Sequence, residues 1–195
     1  MRVIAGRFRS RLIEAPPGMS TRPTSDRLRE TLFNVLAPRI SGAAFLDLYA
    51  GSGAVGIEAI SRGATQVTFV ERAPDAVRIL RGNLERLGIT SGFRIRAGSV
   101  KIFLQSRSSK SGPKPEPYDA IFLDPPYDAD QEYASTLGLL GGSAAAYLAF
   151  GAVVIAEHRR KQALDDQYGG LKRTRLLEQG DAALSFYAMA AASPA

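Results

Sequence analysis

From residue 44 onward the chain alternates short apolar runs with helical runs, and that beat admits few folds. Ala44–Tyr49, Gln66–Val70, Phe93–Ala97, Tyr118–Leu123 and Ala152–Ala156 read as strands. Between them Val55–Ser61, Ala73–Leu87, Val100–Gln105 and Gln131–Leu140 read as helices, the second closed by Gly88. Largely apolar strands separated by helices belong to a parallel sheet covered on both faces. The tail departs from the pattern, because Leu171–Glu178 and Ala182–Ala188 are β-like runs joined by Gln179-Gly180-Asp181, a hairpin signal. The expected fold class is α/β, a Rossmann-like, mostly parallel sheet with helices on both faces and an antiparallel C-terminal hairpin.

Before this body lies a different kind of segment. Val3-Ile4 and Leu12-Ile13 flank a basic, turn-prone stretch and read as a small β-hairpin. Pro16-Pro17-Gly18 breaks the chain, and a helix is expected to start at a Thr24 or Ser25 cap and to end at Pro38. Residues 1–40 carry eight arginines against three acids, a net +5 of the chain's +6, while the other 155 residues are close to neutral. A single-sign excess confined to one segment speaks of a polyanionic partner rather than of fold. The expected division is a basic extension over 1–40, expected to contact nucleic acid and to close the ligand site, and a near-neutral body over 41–195.

Composition removes several chemistries. With no cysteine and one histidine, His158, thiolate sites, cysteine nucleophiles and histidine-ligated metals are unavailable, and no metal is expected. His158 reads as a strand-end structural residue. Met1-Arg2-Val3-Ile4-Ala5-Gly6-Arg7 meets charge before an apolar run develops, so a secretory signal is not expected and the location expected is cytoplasmic. Tyr133–Ala156 holds 24 residues without a formal charge, but four glycines interrupt it, and a helix, a glycine turn and a buried strand explain it better than a membrane span of about 20 apolar residues.

Two motifs carry chemistry. Phe45-Leu46-Asp47-Leu48-Tyr49-Ala50-Gly51-Ser52-Gly53-Ala54-Val55-Gly56 joins the first strand to the first helix of the body, and Glu71 ends the next strand. Such glycines let a ligand approach the amides at a helix start, and the later acid suits a ribose. The pattern alone serves NAD, flavins and S-adenosylmethionine. Asp47, near the strand's end, repels a pyrophosphate but holds an ammonium group, which favours S-adenosylmethionine. The second motif, Asp124-Pro125-Pro126-Tyr127, follows the strand Ala120–Leu123, so it opens into the same crevice. Its prolines remove two amide donors, leaving a rigid, acceptor-rich pocket with an aromatic face for a planar group bearing an amine.

A glycine loop combined with DPPY resembles the class I S-adenosylmethionine-dependent methyltransferases that modify exocyclic or amide nitrogens. Arg2–Arg11 (RVIAGRFRSR) and Arg22–Asn34 (RPTSDRLRETLFN), in order with the glycine loop, resemble the RsmD family, which methylates the guanine N2 amine in bacterial 16S ribosomal RNA. The resemblance implies a cofactor site at Asp47, Tyr49, Gly51, Ser52, Gly53, Glu71, Arg72, Ser99 and Asp124. It implies a catalytic group at Asp124, Pro125, Pro126 and Tyr127, and from the basic charge of the first segment Arg7, Arg9, Arg11, Arg22 and Arg27 are expected to contact RNA phosphates. Gly98-Ser99 departs from the Asp or Asn that related enzymes use to read the adenine amine. The partner implied is 16S RNA, free or within an assembling 30S particle; no membrane is expected, and the chain is expected to be a monomer. The alternatives are a DPPY-type DNA adenine or cytosine methyltransferase, for which 195 residues leave little room, a protein-glutamine methyltransferase, which would be expected to carry Asn in place of Asp124, and a nonenzymatic dinucleotide-binding module, which leaves Asp47 and the DPPY pocket idle.

Overall fold

The computed structural model describes residues 1–15, 23–106, 117–126 and 130–190. Helix α1 spans Pro23–Leu36. It is followed by β1 Ala44–Leu48, α2 Ala54–Ser61, β2 Gln66–Glu71, α3 Pro74–Arg86, β3 Phe93–Ala97, α4 Val100–Gln105, β4 Tyr118–Leu123 and α5 Asp130–Leu140. A 3₁₀ turn, Ala145–Tyr147, leads into β5 Leu148–Arg159, then β6 Gln167–Tyr168, β7 Leu171–Gln179 and β8 Ala182–Met189. The eight strands form one sheet in the order β3-β2-β1-β4-β5-β8-β7-β6. Strands β1 to β5 run parallel, and β8, β7 and β6 join antiparallel.

Alternation along each strand feeds two cores, one on each face of the sheet. Phe45, Phe69, Phe122 and Ile155 point into one, with α1, α2 and α3. Leu46, Val70, Leu123 and Val154 point into the other, with α4 and α5. Burial on both faces is the reason β1, β2 and β4 read as largely apolar runs, whereas edge strand β3 keeps Arg94 and Arg96. The chain builds outward from β1 to β3, then returns to add β4 on the other side of β1. At that reversal the helices leave in opposite directions and a crevice opens at the carboxyl ends of β1 and β4.

Strand β5 is longer at both ends than the expected Ala152–Ala156. Its first residues pair with β4 across a register shift near Gly151, and its charged last residues pair with β8, so partners rather than hydropathy set its limits. The uncharged stretch Tyr133–Ala156 is divided among α5, the 3₁₀ turn and β5, and among the described residues no helix is long and apolar enough to cross a membrane.

The N-terminal segment differs from expectation in two ways. Instead of two regular strands it forms, among the described residues, a looped arm closed by the antiparallel bridge Arg2↔Leu12, with the Val3 amide donating to the Arg11 carbonyl and the Ile13 amide to the Met1 carbonyl, both at 3.0 Å. Also, α1 starts at Pro23, so Thr24 and Ser25 lie within its first turn. Proline's fixed φ suits that first turn, which explains the earlier start. The arm has no core of its own, because Val3, Phe8 and Ile13 enter the same cluster as Phe45 and Phe69.

A buried carboxylate docks the arm. Glu58 on α2 is fully buried, and its Oε2 accepts the Ile4 amide at 2.7 Å while Oε1 accepts the Ala5 amide at 3.0 Å and Arg62 Nε at 2.7 Å. Ser61 continues the contact, its Oγ accepting the Phe8 amide at 2.9 Å and its carbonyl accepting the Arg7 amide at 2.8 Å. Gly6 sits against that carbonyl at φ +81°, where a Cβ would lie 1.9 Å from the oxygen, so no other residue fits. Glu58→Ala would strand two amides and the Arg62 guanidinium. Breaking such a buried pair costs about 3 to 5 kcal/mol, and a fall of that size in unfolding free energy by urea titration is expected.

Candidate functional site

The turn from β1 into α2 is built from unusual backbone and held by carboxylates. Tyr49 adopts φ +61°, rare for a residue with a side chain, and Gly51 and Gly53 follow at +53° and +78°. A Cβ on Gly53 would lie 2.2 Å from Leu80 of α3, so the loop can approach that helix only as glycine. Asp47 is 2 % exposed, and its Oδ2 accepts the Gly56 amide at 2.8 Å, fixing the first turn of α2 over the end of β1. Glu71 braces the loop from β2: one oxygen accepts the Gly51 amide at 2.8 Å, the other the Ala73 amide at 2.7 Å. Asn83 of α3 holds it from the arm's side, donating to the carbonyls of Ser52 and Glu14, both at 3.0 Å, and accepting the Glu14 amide at 2.9 Å.

These elements wall a cavity of about 770 Å³ at the carboxyl ends of the strands. Of the residues expected to bind cofactor, Asp47, Tyr49, Gly51, Ser52, Glu71, Arg72, Ser99 and Asp124 line it, whereas Gly53 does not, its open side facing Leu80, Phe69 and Ile57. Pro125 and Pro126 line it as well, which brings Asp124-Pro125-Pro126 and the glycine loop into one space. Tyr127 and Arg22 lie outside the described residues. Arg7, Arg9 and Arg11 are exposed but line no part of the cavity: Arg7 and its neighbours dock at the C-terminal end of α2, whereas the cavity is at its N-terminal end. Arg27 is exposed on α1, two residues from Arg29.

Burial, with lesser contributions from Asp124 and Glu71, pushes the Asp47 carboxyl up to about 7, against the pull of the Gly56 amide. A buried acid with further carboxylates facing the same space is relieved by a cation. The Tyr49 hydroxyl donates to Glu132 of α5 at 2.8 Å and shares a hydrogen bond of 2.7 Å with Thr136, and burial raises its pKa. This contact ties the helix after DPPY to the end of β1. His158 is buried with Nε2 2.9 Å from Ser185 Oγ and its ring edge-on to Tyr133; burial lowers its pKa, consistent with a structural role. Phe186 and Tyr187 are core. Among the described residues no cluster of acids and histidine is arranged to hold a metal ion.

Sequence reasoning missed several residues that line the cavity, among them Met1, Arg29, Glu132, Glu157 and Arg159. Arg29 is 4 % exposed, its guanidinium donating to Asp26 at 2.9 Å and to the Arg2 carbonyl at 2.5 Å, which makes it part of the arm's anchorage. Glu157 and Arg159 were legible in principle, as residues two apart at the end of an apolar strand.

The family model described as "Conserved hypothetical protein 95" matches residues 1–188. The chain is 34% identical over 187 residues to "Putative rRNA methyltransferase YlbH" of Bacillus subtilis, covering 96% of this chain and 98% of that protein. It is 39% identical over 127 residues to "Ribosomal RNA small subunit methyltransferase D" of Escherichia coli strain K12, a match covering 65% of this chain and 60% of that protein. Among solved structures, "Putative methyltransferase yhhF from Escherichia coli" superposes with a TM-score of 0.81 at 31% identity, covering 98% of this chain and 99% of that one.

The Asp47 environment makes a direct prediction. The ordinary carboxyl value is 3.8, so the folded state holds this proton more tightly than the unfolded chain does. The ligand-free protein should be most stable below pH 4 with respect to this group and lose that stability as pH rises to about 7. The loss should be on the order of a few kcal/mol. Asp47→Asn keeps an acceptor for Gly56 and removes the slope, so urea midpoints measured from pH 4 to 8 should converge at the acid end and favour the variant above pH 7.

Proposed function

The chain belongs to the conserved hypothetical protein 95 family, the RsmD-type methyltransferases, and from that membership we propose that it methylates the exocyclic N2 amine of a guanine in small-subunit ribosomal RNA. The observation that carries this reading is the union of the acid-lined glycine loop and the Asp124-Pro125-Pro126 segment in one cavity. S-adenosylmethionine is the methyl donor, supplying an electrophilic methyl on a sulfonium. The residues present fit it: Asp47 and its acidic neighbours favour a cation and oppose a pyrophosphate, and the cavity is of the size that cofactor pockets occupy. Asp47 would face the cationic amino-acid end. Glu71 would take the ribose hydroxyls, since each of its oxygens keeps a lone pair beyond the amide it already accepts. Gly98 and Ser99, with Arg72, would border the base.

On the substrate side, a guanine amine is a weak nucleophile because its lone pair is delocalised into the ring. Asp124 and the Pro125 carbonyl would accept its two N–H groups, favour a pyramidal nitrogen and aim the lone pair into the cavity. Asp124 would then take the proton the amine releases. Prepositioned acceptors and orientation supply most of the rate in such a site. Tyr127 would stack on the base once it has left its helix, as enzymes acting on bases require. Arg7, Arg9, Arg11, Arg22 and Arg27 would hold the RNA backbone. Residues 1–40 then act as an RNA-binding segment on a methyltransferase body in the cytoplasm, with free 16S RNA or an assembling 30S particle as substrate and the chain acting as a monomer.

Tritiated methyl transfer to naked 16S RNA, assembled 30S particles and DNA, with identification of the modified nucleoside, tests the proposal. N2-methylguanosine from a ribosomal substrate is expected, and methyladenine or methylcytosine in DNA would establish the rival reading. Asp124→Ala should lower turnover roughly 10²- to 10⁴-fold at saturating cofactor, with cofactor affinity measured separately by calorimetry. Replacing Arg7, Arg9 and Arg11 with glutamine together should weaken RNA binding and reduce the slope of log affinity against log salt by about 2 to 3.

A further inference from the structure

We propose that Glu157 and Arg159, at the end of β5, read the Watson–Crick edge of the target guanine, Glu157 accepting N1–H and Arg159 donating to O6. The inference rests on the guanine-N2 reading above and names the residues that would select that base.

The placement comes from sheet register. Strands β4 and β5 are parallel with Leu123 opposite Ala156, so the next residue on each puts Glu157 beside Asp124 at the mouth of the crevice. The two-residue period of a strand then sends side chains 157 and 159 to one face and His158 to the other. His158 is indeed packed away against Tyr133 and Ser185, while Glu157 and Arg159 both line the cavity that holds Asp124 and Pro125. These three residues remain in a regular strand because β8 pairs with them, Glu157 with Leu184, His158 with Ala183 and Arg159 with Ala182. Tyr133 adds a brace by donating its hydroxyl to the Glu157 carbonyl at 2.8 Å. Side chains on a paired strand hold a geometry that a loop does not.

The chemistry matches one base. Along its Watson–Crick edge guanine presents two donors, N2–H₂ and N1–H, followed by one acceptor, O6. With N2 at Asp124, the adjoining N1–H meets a carboxylate and O6 meets a guanidinium, which can only donate. Adenine placed with its amine at Asp124 would turn the unprotonated N1 toward Glu157, lone pair against carboxylate. Base edges exposed by flipping are the features that proteins read in this way.

The test uses fragments of 16S RNA carrying, at the guanine the wild type modifies, guanosine, 2-aminopurine riboside or 2,6-diaminopurine riboside. All three retain the 2-amine, and the last two lack N1–H and O6. Wild-type protein should favour guanosine by roughly ten- to a hundredfold in kcat/KM. Glu157→Gln, whose amide can donate to an unprotonated N1, should erase most of that preference, and Arg159→Ala should lower guanosine turnover while sparing 2-aminopurine. A second readout needs no cofactor: by its own fluorescence, RNA containing 2-aminopurine should bind Glu157→Gln more tightly than wild type. A wild type indifferent to the three bases, or variants that lower all three equally with no change in the fluorescence titration, would overturn the assignment. A wild type that places methyl groups on some position other than guanine N2 would sink the underlying reading instead, and the nucleoside analysis separates the two failures.

Discussion

The hydrogen bond from the Gly56 amide to the buried Asp47 carboxylate is the constraint on which the site depends. It closes a sharp reversal of chain between β1 and α2, in which Tyr49 is held at φ +61°. A buried acid is costly, and burial raises its pKa to about 7. Strained backbone and a desolvated carboxylate at the same turn are the marks of a site whose geometry is kept for a ligand rather than for stability. The neighbouring supports converge on the same few residues, Glu71 from β2, Asn83 from α3 and Glu132 from α5 by way of Tyr49. Each face of the loop is therefore fixed by a different element of the fold.

Asn83 gives this arrangement a reach beyond the loop. Its amide spans Ser52, in the glycine turn, and Glu14, in the arm, and Arg86 from the same helix adds an ion pair to Glu14 at 2.8 Å. Glu58 does the corresponding work at the other end of the arm. The basic segment is thus bound to the body at two points by buried polar side chains, and its apolar residues share the body's core. Moving the arm would expose Val3, Phe8 and Ile13 together with unpaired amides, so the arm and the glycine turn are coupled mechanically.

Local patterns made much of this legible. β3, α4 and β4 occur at the expected residues, and β1, β2 and α3 within one or two, because apolar period and glycine or proline boundaries act locally. The acids at positions 47, 71 and 124 were found because they sit at strand ends beside recognisable turns. Glu58 and Asn83 were not, since each reads as an ordinary helical residue until the arm folds back across more than 50 positions to meet it. The ends of β5 were hidden for a related reason. Glu157, His158 and Arg159 carry polar side chains and become strand only through pairing with β8.

The charge imbalance of the first 40 residues divides in the same way between fold and surface. Arg29 is taken up by the arm's anchorage, Arg39 donates to the Gly151 carbonyl at 3.1 Å, and Arg11 reaches the Arg86 carbonyl at 3.5 Å. Arg7, Arg9 and Arg27 are exposed, and none of them has an acidic partner among the described residues. Arg7 and Arg9 lie at the far end of α2, which at 1.5 Å per residue is roughly 12 Å from its cavity end. Arg27 lies on α1 near Arg29, which lines the cavity. At about 3.4 Å per stacked nucleotide, a strand with its base in the cavity must run past three or four neighbours to reach the arm's tip. Under the proposed function, affinity comes from backbone flanking the target and selectivity from the edge of one base. A methyl group added to an isolated nucleoside would then gain nothing from the arm.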